Sequence, residues 1–206
     1  QNTGSAPERG LFMATPLMVN LKDKHCLIIG GGKVATRKVR FLLNEGAKIT
    51  IISSELCNDL EKLQDNFHFI KKTIDRRDLL AFLKEISLPY FLAVIATNDF
   101  YLNQAISAIL DKQIPLINIV DNQENSNFFF PAYIKRGLLK ISVSTSGASP
   151  ILARKIKHHL QMQFGPEYVE YLEKLKVERA ATLKKFPTEK ERKAYLEKNT
   201  HFPFNP

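Results

Sequence analysis

The apolar run His25-Cys26-Leu27-Ile28-Ile29 stops against three consecutive glycines, and helical apolar spacing begins directly behind them at Val34, Val39, Leu42 and Leu43. A strand that must turn at once into a helix needs backbone freedom at the turn. Gly30-Gly31-Gly32-Lys33-Val34-Ala35 fits G-x-G-x-x-G/A, with Ala35 in the last small position. In that arrangement Gly30 permits the tight turn, Gly32 lets the backbone approach a pyrophosphate, and Ala35 keeps the helix close to the sheet. Free N–H groups at the helix start then face the phosphate charge. The competing reading is a glycine turn with no ligand, and the strand before it and the helix after it weigh against that.

The same alternation continues downstream. Ile49 to Ile52 and Phe67 to Lys71 read as strands, Asp78 to Ile86 as a helix, Phe91 to Ala96 as a buried strand, Asp99 to Asp111 as a helix and Leu116 to Val120 as a fifth strand. Continuous apolar strands separated by amphipathic helices imply a parallel sheet covered on both faces. Right-handed crossovers make it a doubly wound α/β fold of Rossmann type, with ligands at the carboxyl ends of the strands. The pattern changes after Asp121. Phe128 to Ile134 and Leu138 to Thr145 read as strands joined by Lys135-Arg136-Gly137 in a hairpin, and from Ser149 the chain reads as helical. Ser149 is a good N-cap and Pro150 a good first helical residue; Gly165-Pro166 and Phe186-Pro187-Thr188 interrupt the helices before a last one near Glu189 to Lys198. The expected organisation is therefore a dinucleotide-binding domain over 13–122, a small β-rich segment over 123–148 and a helical domain over 149–206. Residues 1–12 are polar and contain Gly and Pro, and Met13 after them suits a natural start. They read as an expression-derived or disordered leader.

Composition narrows the class without naming a function. A hydrophobic content of 44% supports a core, and 25% charged residues suit a water-soluble globular chain with no transmembrane run or secretory signal. Cys26 and Cys57 match no metal or redox spacing and read as reduced residues of a cytoplasmic protein. The net charge of +9 favours an anionic partner. Over 151–200 twelve Lys/Arg face seven Asp/Glu, a spread excess rather than a nucleic-acid-binding stripe. No nucleic-acid or membrane partner is expected. None of the five His residues falls in a metal-ligand pattern, so no metal site is expected either.

Polar residues at the strand ends supply the candidate contacts. An acid is expected at the end of the second strand to hold the adenosine ribose. Here Ser53-Ser54 stand there with Glu55 beside them, and both serine and glutamate readings are open. With no Arg at that position, NAD is favoured over NADP. Thr97 and Asp99 either contact the cofactor, cap the next helix, or do both. Asp121, after the fifth strand, is placed to take a proton as hydride leaves; a plain turn aspartate is the stronger reading from physics alone.

Taken together, Gly30-Gly31-Gly32-Lys33-Val34-Ala35, Ala96-Thr97-Asn98-Asp99, Asn118-Ile119-Val120-Asp121 and Ser144-Thr145-Ser146-Gly147-Ala148-Ser149-Pro150 resemble the precorrin-2 dehydrogenase family, which also forms the N-terminal module of siroheme synthases. The resemblance runs from about Pro16 into the C-terminal helices. It implies NAD-dependent oxidation of precorrin-2 to sirohydrochlorin in siroheme biosynthesis, a β-rich dimerisation segment and a homodimer with exchanged segments. Some members also insert ferrous iron, and nothing in the residues votes on that here. The family's catalytic aspartate falls on Asp121, which outweighs the turn reading of that residue. Its substrate-site serine falls on Thr145, which keeps the hydroxyl. Its cofactor contacts fall on Lys33, Val34, Ser54, Glu55, Thr97 and Asn118, beside Gly30, Gly31 and Gly32. With no methyltransferase portion following, the expectation is a stand-alone enzyme. A carboxylate-rich tetrapyrrole suits the basic balance and the Ser149-Pro150 helix start. Two other classes stay open: an NAD-sensing regulatory module without catalysis, and an S-adenosylmethionine binder on a similar fold.

Overall fold

The computed structural model describes residues 14–201 apart from 80, 81, 83–85, 87, 88, 121 and 123. Five strands form one parallel sheet: β1 (His25–Ile29), β2 (Lys48–Ser53), β3 (His68–Lys71), β4 (Leu92–Ile95) and β5 (Leu116–Ile119), in the spatial order β3-β2-β1-β4-β5. Order reverses between β1 and β4, the position at which doubly wound sheets bind ligands. β1 is the central strand. Cys26 to Ile29 align with Ile49 to Ile52 on one side and with Leu92 to Ile95 on the other.

The strands form where β-branched and apolar residues run without a break, because both faces are covered. Cys26, Leu27, Ile28 and Ile29 are fully buried, as are Ala93, Val94 and Ile95. Leu27 and Ile29 point into a core built with Ile52, Ala93, Ile95, Ile117 and Ile119 of the sheet and Leu102, Ile106 and Leu110 of α3 (Phe100–Leu110). With a side-chain period of two, Cys26 and Ile28 point to the opposite face. That face is covered by α1 (Lys33–Asn44), which buries Ala35, Thr36, Val39 and Leu42. A one-turn helix, α2 (Asn58–Glu61), follows β2 and buries Leu60. The helix expected over Asp78 to Ile86 lies largely outside the described residues. A 3-10 turn over Arg76–Asp78 precedes it, and Leu79 and Phe82 join the core.

The chain from Phe130 onward packs as a unit separate from Thr15–Phe129. It opens with an antiparallel hairpin, β6 (Ala132–Arg136) and β7 (Leu139–Val143). The turn differs from expectation. Lys135 and Arg136 still pair in the ladder, so Gly137-Leu138 alone makes the turn. Gly137 has φ +56° and a Cβ there would crowd Val169, so a two-residue turn with a left-handed glycine displaces the three-residue connection. Phe128 to Pro131 precede the first strand, and Pro131 has no N–H to give a ladder. Helices α4 (Pro150–Gln163), α5 (Tyr168–Lys185) and α6 (Glu189–Asn199) follow. Ser149 caps α4 by accepting from the Leu152 N–H at 3.1 Å, with Pro150 in the first turn as expected. Thr188 and Glu191 form a reciprocal capping box on α6. Among the described residues, no helix is long and apolar enough to cross a membrane.

Leu27 is fully enclosed between both neighbouring strands and α3, so Leu27→Ala should cost about 3 kcal/mol of unfolding free energy. A urea titration of the wild type and the variant measures it, and a loss below about 1 kcal/mol would contradict this account of the core.

Candidate dinucleotide site

The glycine loop leaves β1 at the carboxyl edge of the sheet, and its three glycines are glycines for different reasons. Gly30 has φ +115°, donates its N–H to the Ile52 carbonyl at 2.9 Å, and sits so close to β4 that a Cβ would collide with the Ala96 carbonyl. A Cβ on Gly31 would collide with the Glu55 carbonyl and crowd Ser53 Oγ at 2.9 Å, while its own carbonyl accepts from the Cys57 N–H. Gly32 is unlike both. Its φ of −88° suits any residue, and a Cβ there would meet nothing within 4 Å. The fold does not require this glycine, and the space over it is open, which fits the close approach that the sequence pattern leads one to expect.

Gly32 is also the N-cap of α1. No side chain caps that helix and no acidic residue stands in its first turn. The N–H groups of Lys33, Val34 and Ala35 and the positive end of the helix dipole are therefore available to an anion, with the exposed Lys33 side chain beside them. Val34 is exposed at the same end. Ser54 and Glu55, just past β2, are exposed as well, whereas Ser53 is half-buried against Gly31. An uncapped helix start, an open glycine and exposed hydroxyl and carboxylate groups at the next strand fit a pyrophosphate with its adenosine ribose.

Two other candidates have structural roles of their own. Thr97 donates its hydroxyl to Asn103 Oδ1 and accepts the Asp99 N–H at 3.2 Å. Asp99 in turn accepts the Leu102 N–H at 2.9 Å as the cap of α3, so the capping reading holds for Asp99, and Thr97 braces the capping residue. The backbone before them still borders the glycine loop, since the Ala96 carbonyl and Thr97 N–H lie against Gly30. Asn118 is buried and gives its amide N–H to the Phe128 carbonyl at 3.0 Å. Asp121 lies outside the described residues. Its chain neighbours are well anchored: the Val120 N–H donates to the Ile95 carbonyl, and the Asn122 amide oxygen accepts from the Asn125 N–H. Thr145 belongs to the second unit, where its Oγ1 accepts the Ser149 N–H at 3.1 Å in a loop with Ser146 and Gly147 at positive φ.

Sequence reasoning missed three arrangements. Ser126 and Asn127 cover the free edge of β5: Ser126 Oγ accepts the Ile119 N–H and Asn127 Oδ1 accepts the Ile117 N–H at 2.7 Å, which substitutes for a sixth strand. The Ser-Asn pair in a polar loop is the only signal of it. Arg76 forms an ion pair with Asp99 at 2.8 Å, across 23 positions that no local pattern connects. Cys57 places its thiol 3.2 Å from Thr36 Oγ1 on the first full turn of α1. Burial alone would push that thiol up, but the Thr36 hydroxyl and the backbone N–H groups of Leu60 and Asp59 hold it below its ordinary value. Cys26, enclosed in β1, is pushed up to about 12 by burial.

These features define a class, a doubly wound sheet with a dinucleotide loop at its switch point, and comparison with known proteins identifies the family. Residues 17–132 match the model of the family described as "Putative NAD(P)-binding", and the chain belongs to that family. Residues 136–163 match the family described as "Sirohaem biosynthesis protein central". The chain is 32% identical to the siroheme synthase of Buchnera aphidicola subsp. Acyrthosiphon pisum (strain APS) over 92% of its own length and 39% of that protein. It is 38% identical to siroheme synthase 1 of Serratia proteamaculans (strain 568) over 71% of its own length and 29% of that protein. It thus spans well under half of these curated relatives. Among solved structures it is similar to SirC, a precorrin-2 dehydrogenase, with a TM-score of 0.70 and 27% identity over 91% of this chain and 90% of that one. The resemblance read from the four motifs is borne out.

The loop geometry separates two of its glycines. Gly30→Ala should destabilise the protein by at least about 2 kcal/mol, whereas Gly32→Ala should stay within about 1 kcal/mol of wild type in thermal melts yet lose dinucleotide affinity. Equal melting losses would refute the distinction. Because the Cys57 thiol is depressed when folded, its iodoacetamide alkylation rate should rise with a midpoint below pH 9.0. Thr36→Val should move that midpoint upward, and an unmoved midpoint would remove Thr36 as the cause.

Proposed function

We propose that this chain is an NAD-dependent dehydrogenase that oxidises precorrin-2 to sirohydrochlorin in siroheme biosynthesis. The observation that carries the reading is Gly32, a glycine that the fold does not need, at the uncapped start of α1. The similarity to SirC over nine-tenths of both chains supports the substrate class. The end of β2 supports NAD over NADP in this reading, since Ser54 and Glu55 offer a carboxylate and no Arg to a 2′-phosphate.

In this reading the α1 start holds the pyrophosphate, and Lys33 and Val34 flank it. Ser54 and Glu55 hold the adenosine ribose, and the carboxyl ends of β4 and β5, with Thr97 and Asn118, border the nicotinamide half. The bound nicotinamide supplies the hydride acceptor. Asp121, two residues past β5, takes the proton that leaves the macrocycle, or orients the substrate so that the proton is lost. Thr145, at the loop that caps α4, is the substrate-side hydroxyl. Residues 13–122 would then be the NAD-binding domain, 123–148 the dimerisation segment of a homodimer, and 149–206 the helical domain. The protein's main contribution is placement of the two rings against each other.

Anaerobic incubation with precorrin-2 and NAD should yield NADH and the sirohydrochlorin spectrum in step. Asp121→Ala should bind NAD as wild type does and lose turnover by at least about a hundredfold. A fully active variant would remove Asp121 from the chemistry. NAD binding without oxidation of any tetrapyrrole would favour a sensor. Ferrous iron added after oxidation tests whether the same protein metallates the product.

A further inference from the structure

Arg76 lies on the 3-10 turn that follows β3, whereas Asp99 and Tyr101 open α3 after β4. In the sheet, β2 and β1 stand between those two strands. The segment leaving β3 starts at Lys72, whose N–H is held by the Ser53 carbonyl at the end of β2. Four residues later the Arg76 guanidinium reaches Asp99, Nη2 to Oδ1 at 2.8 Å. The bridge therefore spans the carboxyl ends of β2 and β1, the edge from which the glycine loop departs and at which Ser54 and Glu55 stand.

The guanidinium is fixed from two directions. Asp99 holds its edge, and Asp99 is itself immobilised by capping Leu102. The cation also lies over the Tyr101 ring, with Cζ 5.2 Å from the ring centroid, and Phe100 braces Tyr101 edge-on at 5.6 Å. Even so, the Arg76 side chain is half exposed and Phe100 and Tyr101 are exposed. A planar cation held in advance by an ion pair and a ring, and half exposed to solvent, is a preorganised platform on which a flat group can stack.

We propose that Arg76 recognises the adenine base of the dinucleotide, its guanidinium clamped at the edge by Asp99, held over the Tyr101 ring, and stacked on the base. The assignment rests on the dinucleotide reading of the glycine loop. The end of β2 is the adenosine side of such a site, and the Lys72–Ser53 bond ties the Arg76 segment to that strand end. A neutral flat base suits this group better than a 2′-phosphate, because the Asp99 carboxylate already neutralises the cation and would repel a second anion beside it.

Fluorescence titration of the whole chain with NADH, NADPH and reduced nicotinamide cytosine dinucleotide tests the assignment. Wild type should prefer NADH over the cytosine analogue. Arg76→Ala should shrink that preference on the order of tenfold by weakening NADH. Arg76→Lys keeps the charge and the Asp99 pairing without the plane, so it should behave as Arg76→Ala does. An unchanged base preference in both variants, recovery of full preference by lysine, or a loss confined to NADPH would each overturn the proposal. Failure of wild type to bind any of the three would instead remove the dinucleotide reading, and this assignment with it.

Discussion

Everything at the carboxyl edge depends on how closely β1 is held between β2 and β4. The Gly30 N–H bonds to the Ile52 carbonyl of β2, and the Ala96 N–H bonds to the Ile29 carbonyl of β1. The chain must leave β1 within that gap, and a side chain at Gly30 would strike the Ala96 carbonyl. Tight pairing of fully buried strands thus demands glycine at the turn. The turn then sets the start of α1, and that start sets where an anion can be held. Core packing and ligand chemistry are coupled through a single residue whose backbone angle and lack of a Cβ are both required.

The polar residues around this edge divide into those already engaged and those left open. Thr97, Asp99, Asn118, Ser126 and Asn127 hold helix caps or strand edges through their side chains. Gly32, Lys33, Val34, Ser54 and Glu55 are exposed, and none of their side chains caps the α1 start. Desolvation accounts for the buried members, Asn118 and Ser126, whose polar groups must be paired within the protein, whereas Asp99 and Asn127 are exposed and are held by the helix end and strand edge they serve. Cys57 works from the other side of the loop, since its thiol contacts Thr36 of α1 while its backbone N–H fastens the Gly31 carbonyl.

Most of the Rossmann-type half is legible in the residues alone. The runs Cys26 to Ile29 and Ala93 to Ile95 are apolar without alternation, Ile49 to Ile52 is broken only by Thr50, and all three are buried on both faces. Ser149-Pro150 marks a helix start through chemistry that is local to a few residues, and the cap forms. The hairpin is legible in its place but not in its turn, because Lys135 and Arg136 look like loop residues until the ladder shows them paired. Ladder pairing is a property of two segments and cannot be seen in one.

The sequence by itself determined the parallel sheet, the helix that starts at the glycine loop, the Ser149 cap and the family resemblance, each of which is written in short motifs of neighbouring residues. Tertiary structure alone decided which glycine the fold requires and which it leaves open, since that depends on what lies across the gap from each one. It also decided that Arg76 meets Asp99 and Tyr101, that Thr36 meets Cys57, and that Ser126 and Asn127 close the edge of β5. The physical reason is common to the first three. Short-range preferences are written in neighbouring residues, whereas the partner of a side chain at a sheet edge is chosen by the crossover connections that bring distant strand ends together.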